Sequence, residues 1–408
     1  MQRRFSGRIA DLFLLFYLFS IGCLQAQEAG ADKSSCVSGL PWPHSLQAGI
    51  DSLLCDPLFD TSVVGICVYD LTSDSMLYSF NARQRLRPAS TMKLVTAVAA
   101  LDLPGGLQPY ATELRCTGEV SDGVLCGDLY VVGGFDPCFD RTDMEAFCDA
   151  LCRAGVDSVS GRLLADVSMK DTLQWGSGWC WDDDCEVLTP LPYDRHDEFL
   201  PVLSRMLSVR GIRLNGGVSG KAFCPASSRL LARRTHPADQ ILLTMMKESD
   251  NLFAESMFYR IAAHSGRKYA SAKQACEVIH DLIRRLGLRP EDYRIADGSG
   301  LSLYNYLTPE LETSLLRYAF HNESVFNHLY PSLPVAGEDG TLKKRMRNGA
   351  AHGNVRAKTG TVEGVVTLAG YATASNGHRL AFSIMNQGIS RARQGRDFQD
   401  RVCQWLCR

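Results

Sequence analysis

The sequence predicts an α/β (α+β) fold: one domain, residues 27–103 and 232–408, interrupted by an inserted mixed β/α domain over 104–231. Three observations carry this. The C-terminal part holds two apolar runs, GVVTLAGYATA and HRLAFSIMNQ, joined by Ser375-Asn376-Gly377. Asn-Gly is a strong hairpin signal, because both central residues of such a turn need positive φ. After Leu103-Pro104-Gly105-Gly106, short strand-like segments separated by Gly and Asp replace a helical pattern. From Ile241, ILLTMMKESDNLFAESMFYRIAAHSG returns to helical spacing as one run.

In chain order, His44 to Leu54 reads as a short amphipathic helix. Val63 to Tyr69 and Met76 to Ser79 read as strands split by the turn Thr72-Ser73-Asp74. Arg87-Pro88-Ala89 is an extended approach to a helix that opens at Ser90. Within the insert, 111–134 gives short strands, Asp143 to Ala154 a helix and Ser158 to Asp166 a strand. GSGWCWDDDCEVLTPLPYD is a long irregular loop, and Phe199 to Val209 is helical. Ala272 to Leu286 forms a further helix. The last helix, Gln394 to Cys407, places Phe398, Val402 and Trp405 on one face, a stripe suited to packing on a sheet.

Lys plus Arg number 43 and Asp plus Glu 45, a net charge of −2. That balance gives no basis for a nucleic-acid partner, which requires a basic surface. The nine His are scattered without H-x-H or H-E-x-x-H, so no metal and no cofactor is expected. Residues 1–26 have the form of a secretory signal: Arg3, Arg4 and Arg8, then an apolar stretch from Leu12 to Leu24, then Ala26. The predicted location is therefore exported, in the periplasm. Cys23 after Ile21-Gly22 also resembles a lipoprotein cleavage site, and lipidation there would add weak membrane association. Of the 15 Cys, Cys116 and Cys126 flank GEVSDGVL and are placed to form a disulfide, and Cys180 could pair with Cys185. Cys148, Cys152, Cys403 and Cys407 read as buried helix thiols.

Three short motifs carry chemistry. In Ser90-Thr91-Met92-Lys93 a helix brings a hydroxyl beside an amine one turn along. Ser249-Asp250-Asn251 and Lys358-Thr359-Gly360-Thr361 follow in order. Each alone reads equally as a helix cap, a solvated lysine or a turn. Together they suit acyl transfer. A serine hydroxyl is a poor nucleophile until a base takes its proton. Lys93 can be that base only when neutral, so its pKa must fall by ~3 units from ~10.4. Desolvation and the like charge of Lys358 push that way. Ser249 can pass a proton to a departing amine, and Asn251 can hold a substrate amide. Lys358, Thr359 and Thr361 can receive a carboxylate, and the strand through Gly360 can bind a peptide along its edge. The serine's place at a helix start favours a developing oxyanion.

S-x-x-K, S-D-N and K-T-G together mark class A β-lactamases and penicillin-binding proteins. From about residue 44 onward the chain resembles the D-alanyl-D-alanine carboxypeptidase/endopeptidase family of low-molecular-mass (class C) penicillin-binding proteins. The resemblance rests on DPLFDTSVVGICVYDL, GDLYVVGGFDP, GRLLADVSM, GWCWDD, VAGEDGTLKKRM and Asp297-Gly298-Ser299-Gly300-Leu301-Ser302. The long interval between Lys93 and Ser249 also fits, since the family carries an inserted domain there.

The resemblance implies a penicillin-recognising domain with a five-stranded antiparallel sheet between helical layers. It implies a serine DD-peptidase that cleaves the terminal D-Ala-D-Ala of peptidoglycan stem peptides through an acyl-enzyme, with D-Ala cross-links as a further substrate. β-Lactam antibiotics would acylate the same serine. Ser90 matches the nucleophile, Lys93 the base, and Ser249 and Lys358 the remaining catalytic positions. Asn251, Thr359, Gly360 and Thr361 match substrate-binding positions, and the backbone N–H groups of Ser90 and Thr361 the oxyanion hole. Asp297 is expected to stabilise a turn, with a direct substrate contact as the alternative. A serine β-lactamase or esterase on the same fold, and a catalytically silent cell-wall-binding module, are the competing readings. One segment departs from the family: LTPLPYDRHDEFL replaces its usual sequence after G-W-x-W-D-D, and the insert looks reduced. The acidic run Asp182-Asp183-Asp184-Glu186 there reads as a solvated loop, with contact to a cationic stem residue as the alternative.

Overall fold

The computed structural model describes residues 40–183 and 185–408. The signal segment 1–26 and Cys23 lie outside the described residues. Among those described, no helix is long and apolar enough to cross a membrane. The chain divides into two compact units, Met1–Leu54 and Cys55–Arg408. In the first, helix α1 (His44–Leu53) turns Leu46 and Ile50 to one face, as their i,i+4 spacing requires.

The second unit opens with strands β1 (Val63–Asp70) and β2 (Ser75–Phe80). A single 3-10 turn, Ala89–Thr91, then feeds helix α2 (Met92–Asp102). All of α2 from Met92 to Leu101 is buried, Lys93 included. A helix buried on every face belongs in the middle of a domain, and α2 packs there against later helices.

The inserted segment has its own small sheets and core. Strands β3 (Tyr110–Cys116), β4 (Val120–Ser121), β5 (Val124–Leu125) and β6 (Leu129–Val132) precede helix α3 (Arg141–Arg153). Then come β7 (Ser158–Val159), β8 (Leu163–Asp166), helix α4 (Phe199–Val209), β9 (Arg213–Leu214), β10 (Val218–Lys221) and β11 (Arg229–His236). One sheet runs β10-β8-β6-β3-β11 and a second β4-β5-β7-β9. Leu114, Val131, Phe147, Leu203 and Leu207 share its core. The single strand expected over 158–166 is therefore two, one in each sheet. The break falls at Gly161, where a Cβ would lie 2.5 Å from the Gly127 carbonyl oxygen.

The helical run from Ile241 is also broken, into α5 (Ala238–Lys247) and α6 (Asn251–Ala263). Ser249 sits between them at φ 63, outside helical space. Asp250 caps α6, its side chain accepting from the Phe253 N–H. Helix α7 (Ala272–Arg285), helix α8 (Pro309–His321) and helix α9 (Glu323–Ser332) follow. Strands β12 (Arg356–Val362), β13 (Val365–Thr373) and β14 (Arg379–Gln387) and helix α10 (Ala392–Leu406) complete the chain.

The main sheet has five strands in the order β12-β13-β14-β1-β2, all antiparallel. It lies between helical layers, with α8 packed on β14 and β1 and α10 on β13 and β14. The fold is thus a mixed α/β one, a five-stranded antiparallel sheet plus an inserted domain. On α10 the buried positions include Phe398, Val402 and Leu406, an i,i+4,i+8 row. Trp405 falls beside that row, partly exposed, with the Arg408 guanidinium over its ring. The 3.6-residue period favours Leu406 over Trp405.

The Cys116–Cys126 disulfide is not formed. Cys116 is buried in the insert's core with Sγ toward the Gly118 carbonyl, whereas Cys126 is exposed with Sγ toward the Val124 carbonyl. Cys180 is an exposed thiol, so the Cys180–Cys185 pair is not made either. Cys148, Cys403 and Cys407 are buried thiols, but Cys152 is exposed on the outer side of α3.

Candidate active site

Ser90 sits on a turn that the backbone alone would resist. Ala89 adopts φ 46, a left-handed conformation that costs a residue with a Cβ about 1 kcal/mol or more. Neighbours hold it there. The Thr91 and Thr367 hydroxyls both donate to the Pro88 carbonyl at 2.7 Å. From below, Gly300 (φ 83) presses so closely that a Cβ on it would lie 1.8 Å from the Ala89 oxygen. From the side, a Cβ on Gly360 would lie 2.9 Å from the Ser90 nitrogen. The glycine of Lys358-Thr359-Gly360 is thus what lets strand β12 reach the serine.

The three sequence motifs meet at this turn. Lys93 Nζ is 3.0 Å from Ser90 Oγ, 2.8 Å from Asn251 Oδ1 and 2.8 Å from the Ser299 carbonyl oxygen. Lys358 Nζ donates to Ser249 Oγ at 2.8 Å and to the Thr359 carbonyl at 2.7 Å. A neutral amine has two N–H bonds and one lone pair. The Asn251 and Ser299 oxygens accept the two N–H bonds, and the lone pair is left facing the Ser90 hydroxyl, the arrangement of a general base.

Burial drives Lys93 down to about 8, against the opposing charges of Asp297, Glu255 and Asp250. Burial and the positive charge of Lys93 hold Lys358 well below the usual ammonium range. The expected repulsion between the two lysines is therefore felt at Lys358. The carboxylates near Lys93 keep the shared positive charge there.

Ser90, Ser249, Thr359 and Thr361 line a cleft of about 500 Å³, whose rim carries Lys343, Lys344, Arg345 and Arg396. Arg396 Nη2 reaches Thr361 Oγ1 at 3.4 Å, and the Thr359 hydroxyl contacts Thr341 Oγ1 at 2.8 Å. Arg345 is paired with Asp400 at 2.6 Å, so Lys343, Lys344 and Arg396 make the rim cationic, and such a rim favours an anionic ligand end.

Two acidic residues support the cluster from behind. Asp297 is buried and accepts from Trp179 Nε1 (2.8 Å), Gly300 N (2.9 Å), Ser302 N (2.7 Å) and Asn305 Nδ2 (2.7 Å). It is the organiser of a turn, as expected. Glu255 was not anticipated. It is buried on α6, accepts from Gly298 N at 3.0 Å and Ser299 N at 2.8 Å, and burial pushes it up to about 8. It thereby fixes the carbonyl that Lys93 uses. A glutamate inside the apolar stretch NLFAESMFY was the available signal, since an unpaired carboxylate does not belong on a buried helix. The Asp297–Ser302 segment also contributes more than a turn, because its Ser299 carbonyl contacts Lys93 directly.

The D-Ala-D-Ala carboxypeptidase 3 (S13) family matches residues 46–192 and 193–408. The chain belongs to this family. Accordingly it is a serine-type D-Ala-D-Ala carboxypeptidase of the penicillin-binding class. It is 27% identical to the D-alanyl-D-alanine carboxypeptidase DacB of Haemophilus influenzae, over 83% of this chain and 88% of that protein. It is 28% identical to the D-alanyl-D-alanine carboxypeptidase of Actinomadura sp. (strain R39), over 95% and 88%. The crystal structure of H. influenzae penicillin binding protein 4 (dacB) superposes with a TM-score of 0.80 at 25% identity, covering 88% of this chain and 98% of that one. A second crystal structure of that H. influenzae protein is a complex with a novel β-lactam, at a TM-score of 0.72 and 24% identity over 88% and 98%.

Proposed function

We propose that Ser90 is the nucleophile of this carboxypeptidase and that Lys93 is its base. One observation carries the reading: Lys93 donates to two carbonyl oxygens and so turns its third position toward Ser90 Oγ. Ser90 Oγ attacks the carbonyl of the penultimate D-Ala of a peptidoglycan stem peptide as Lys93 takes its proton. The backbone N–H groups of Ser90 and Thr361 receive the oxyanion. Ser249, held by Lys358, relays a proton to the departing D-Ala amine. Thr359, Thr361 and the cationic rim receive the terminal carboxylate, and Asn251 holds the substrate amide. Water then hydrolyses the acyl-enzyme. A β-lactam acylates the same oxygen, in keeping with the β-lactam complex of the H. influenzae relative.

In this reading residues 27–103 and 232–408 carry the chemistry, 104–231 shape access to it, and the enzyme works in the periplasm after export. Labelling with a fluorescent penicillin tests it. The folded protein should take up label, and Ser90→Ala should lose it while an exposed-serine variant such as Ser390→Ala keeps it. No covalent label on folded wild-type protein would sink the assignment. D-Ala release from a stem pentapeptide, measured beside cleavage of a cross-linked dimer, gives the balance of the two substrates.

A further inference from the structure

The segment LTPLPYDRHDEFL, where the chain departs from its family's pattern, contains a two-residue hairpin. Tyr193 and His196 bridge each other through both backbone hydrogen bonds, at 2.9 Å each. The two central residues, Asp194 (φ 45) and Arg195 (φ 72), both have positive φ. Such turns favour Asp-Gly, because the second position is the harder one for a side chain. Here an arginine occupies it. A strained non-glycine residue persists where its side chain is needed.

That side chain reaches out of the insert to the second motif. Arg195 Nη1 donates to Asp250 Oδ2 at 2.7 Å, while Nε donates to Glu186 Oε1 at 2.6 Å. Its guanidinium also lies 5.9 Å from the ring centre of Phe253 on α6. Asp250 spends its other oxygen, Oδ1, on the Phe253 N–H at 3.2 Å, capping α6. On either side of Asp250 stand Ser249, which contacts Lys358, and Asn251, which contacts Lys93. Ser249 is itself at φ 63. The break falls at Ser249, between the last helical bond of α5, Glu248 N–H to the Thr244 carbonyl at 3.0 Å, and the first of α6, a long one of 3.4 Å from Ala254 N–H to the Asp250 carbonyl.

We propose that Arg195 is a positioning residue for the reaction: it clamps Asp250 to the insert and so holds Ser249 and Asn251 in register with the two lysines. The role has an electrostatic side. Asp250, Glu255 on the same helix and Asp297 all favour a charged Lys93, against its burial. The guanidinium beside Asp250 offsets one of those carboxylates and so favours the neutral amine. Glu186, from the acidic loop, keeps the guanidinium aimed. This inference rests on the serine acylation reading above.

The test is the rate of acylation by a chromogenic β-lactam as a function of pH, on the full chain. Arg195→Gln should slow acylation by about tenfold and move the acid limb of the profile to higher pH, because Asp250 is left uncompensated. Asp250→Asn keeps an N-cap but removes the charge, so Arg195→Gln/Asp250→Asn should lose the limb shift. Arg195→Lys should recover part of the rate. Wild-type rate and limb in Arg195→Gln overturn the proposal. So does a slowing that leaves the limb in place and persists in the Asp250→Asn background, which marks a merely structural role. Should Arg195→Gln fail to fold, Arg195→Lys serves: one ammonium cannot hold Asp250 and Glu186 together, and a wild-type rate there overturns the clamp. Absence of acylation in the wild-type protein would instead strike the Ser90 assignment.

Discussion

Gly360 lies directly against Ser90: a Cβ placed on it would sit 2.9 Å from the Ser90 nitrogen, 2.8 Å from the Pro88 oxygen and 2.1 Å from Thr367 Oγ1. Two of those neighbours are backbone atoms of the serine turn and cannot give way cheaply. Gly360→Ala should therefore displace strand β12 from Ser90. We expect acylation by a β-lactam to fall by about 100-fold, with a loss of ~1–3 kcal/mol in stability from overpacking. Stopped-flow acylation and a urea unfolding curve on the same preparation measure both.

Lys93 must be neutral to take the Ser90 proton, and its pKa is drawn down to about 8. The acylation rate constant should rise with pH through that value and then level off. At pH 7 about one-tenth of the protein carries the competent amine. A profile flat from pH 6 to 9 would show that Lys93 is not the group that titrates.

Glu255 acts through an oxygen that accepts from the Gly298 and Ser299 N–H groups. A glutamine supplies the same oxygen. Glu255→Gln should therefore acylate at close to the wild-type rate at pH 7, and Glu255→Ala should lose about tenfold or more as the Ser299 carbonyl drifts from Lys93. Equal rates in the two variants would show that the carbonyl needs no such support.

Glu312 is buried between α8 and the main sheet, where Ser383 Oγ donates to its Oε2 at 2.7 Å, and burial pushes it up to about 7. Its folded pKa exceeds its unfolded one, so its contribution to stability is complete below about pH 4.5 and is lost as pH rises through about 7. Glu312→Gln removes a titration worth up to ~3 kcal/mol. Urea midpoints at pH 5 and pH 8 should differ less in the variant than in the wild type. Glu255 titrates in both proteins and cancels from the comparison.

Single hairpins, helices and the interruption of the domain were legible from local pattern, whereas the five-stranded sheet and the joint meaning of the three motifs followed from the family resemblance. Two apolar runs joined by Asn-Gly marked the hairpin of β13 and β14, and Pro88 marked the approach to a helix, although Pro88 (ψ −22) and Ala89 (φ 46) are not extended and the α-helix opens at Met92, after a 3-10 turn that holds Ser90. Phe199–Val209 has the limits its periodicity suggested. What escaped is what tertiary contact decides. In LLTMMKESDNLFAE the Ser-Asp-Asn run offered a cap, but the apolar spacing on either side of it reads as one helix; the contact of Ser249 with Lys358, 109 residues away, is what the local pattern does not carry. Spacing along the chain placed Cys116 and Cys126 on either side of a turn, but not on opposite sides of the insert's core surface. Arg195 was not singled out from the sequence, because its partner Asp250 lies 55 residues away.

The Ser90 turn is gripped by segments distant in sequence: Asn251 lies 158 positions from Lys93, Ser299 206, and Thr367 lies 279 from Pro88. Contacts of such separation close slowly, because the loop entropy is spent before any of them forms. Helices and hairpins can assemble well before these clasps do. Covalent uptake of penicillin by Ser90 is then a stringent gauge of refolding, appearing only with the last long-range closures and lagging behind the recovery of circular dichroism.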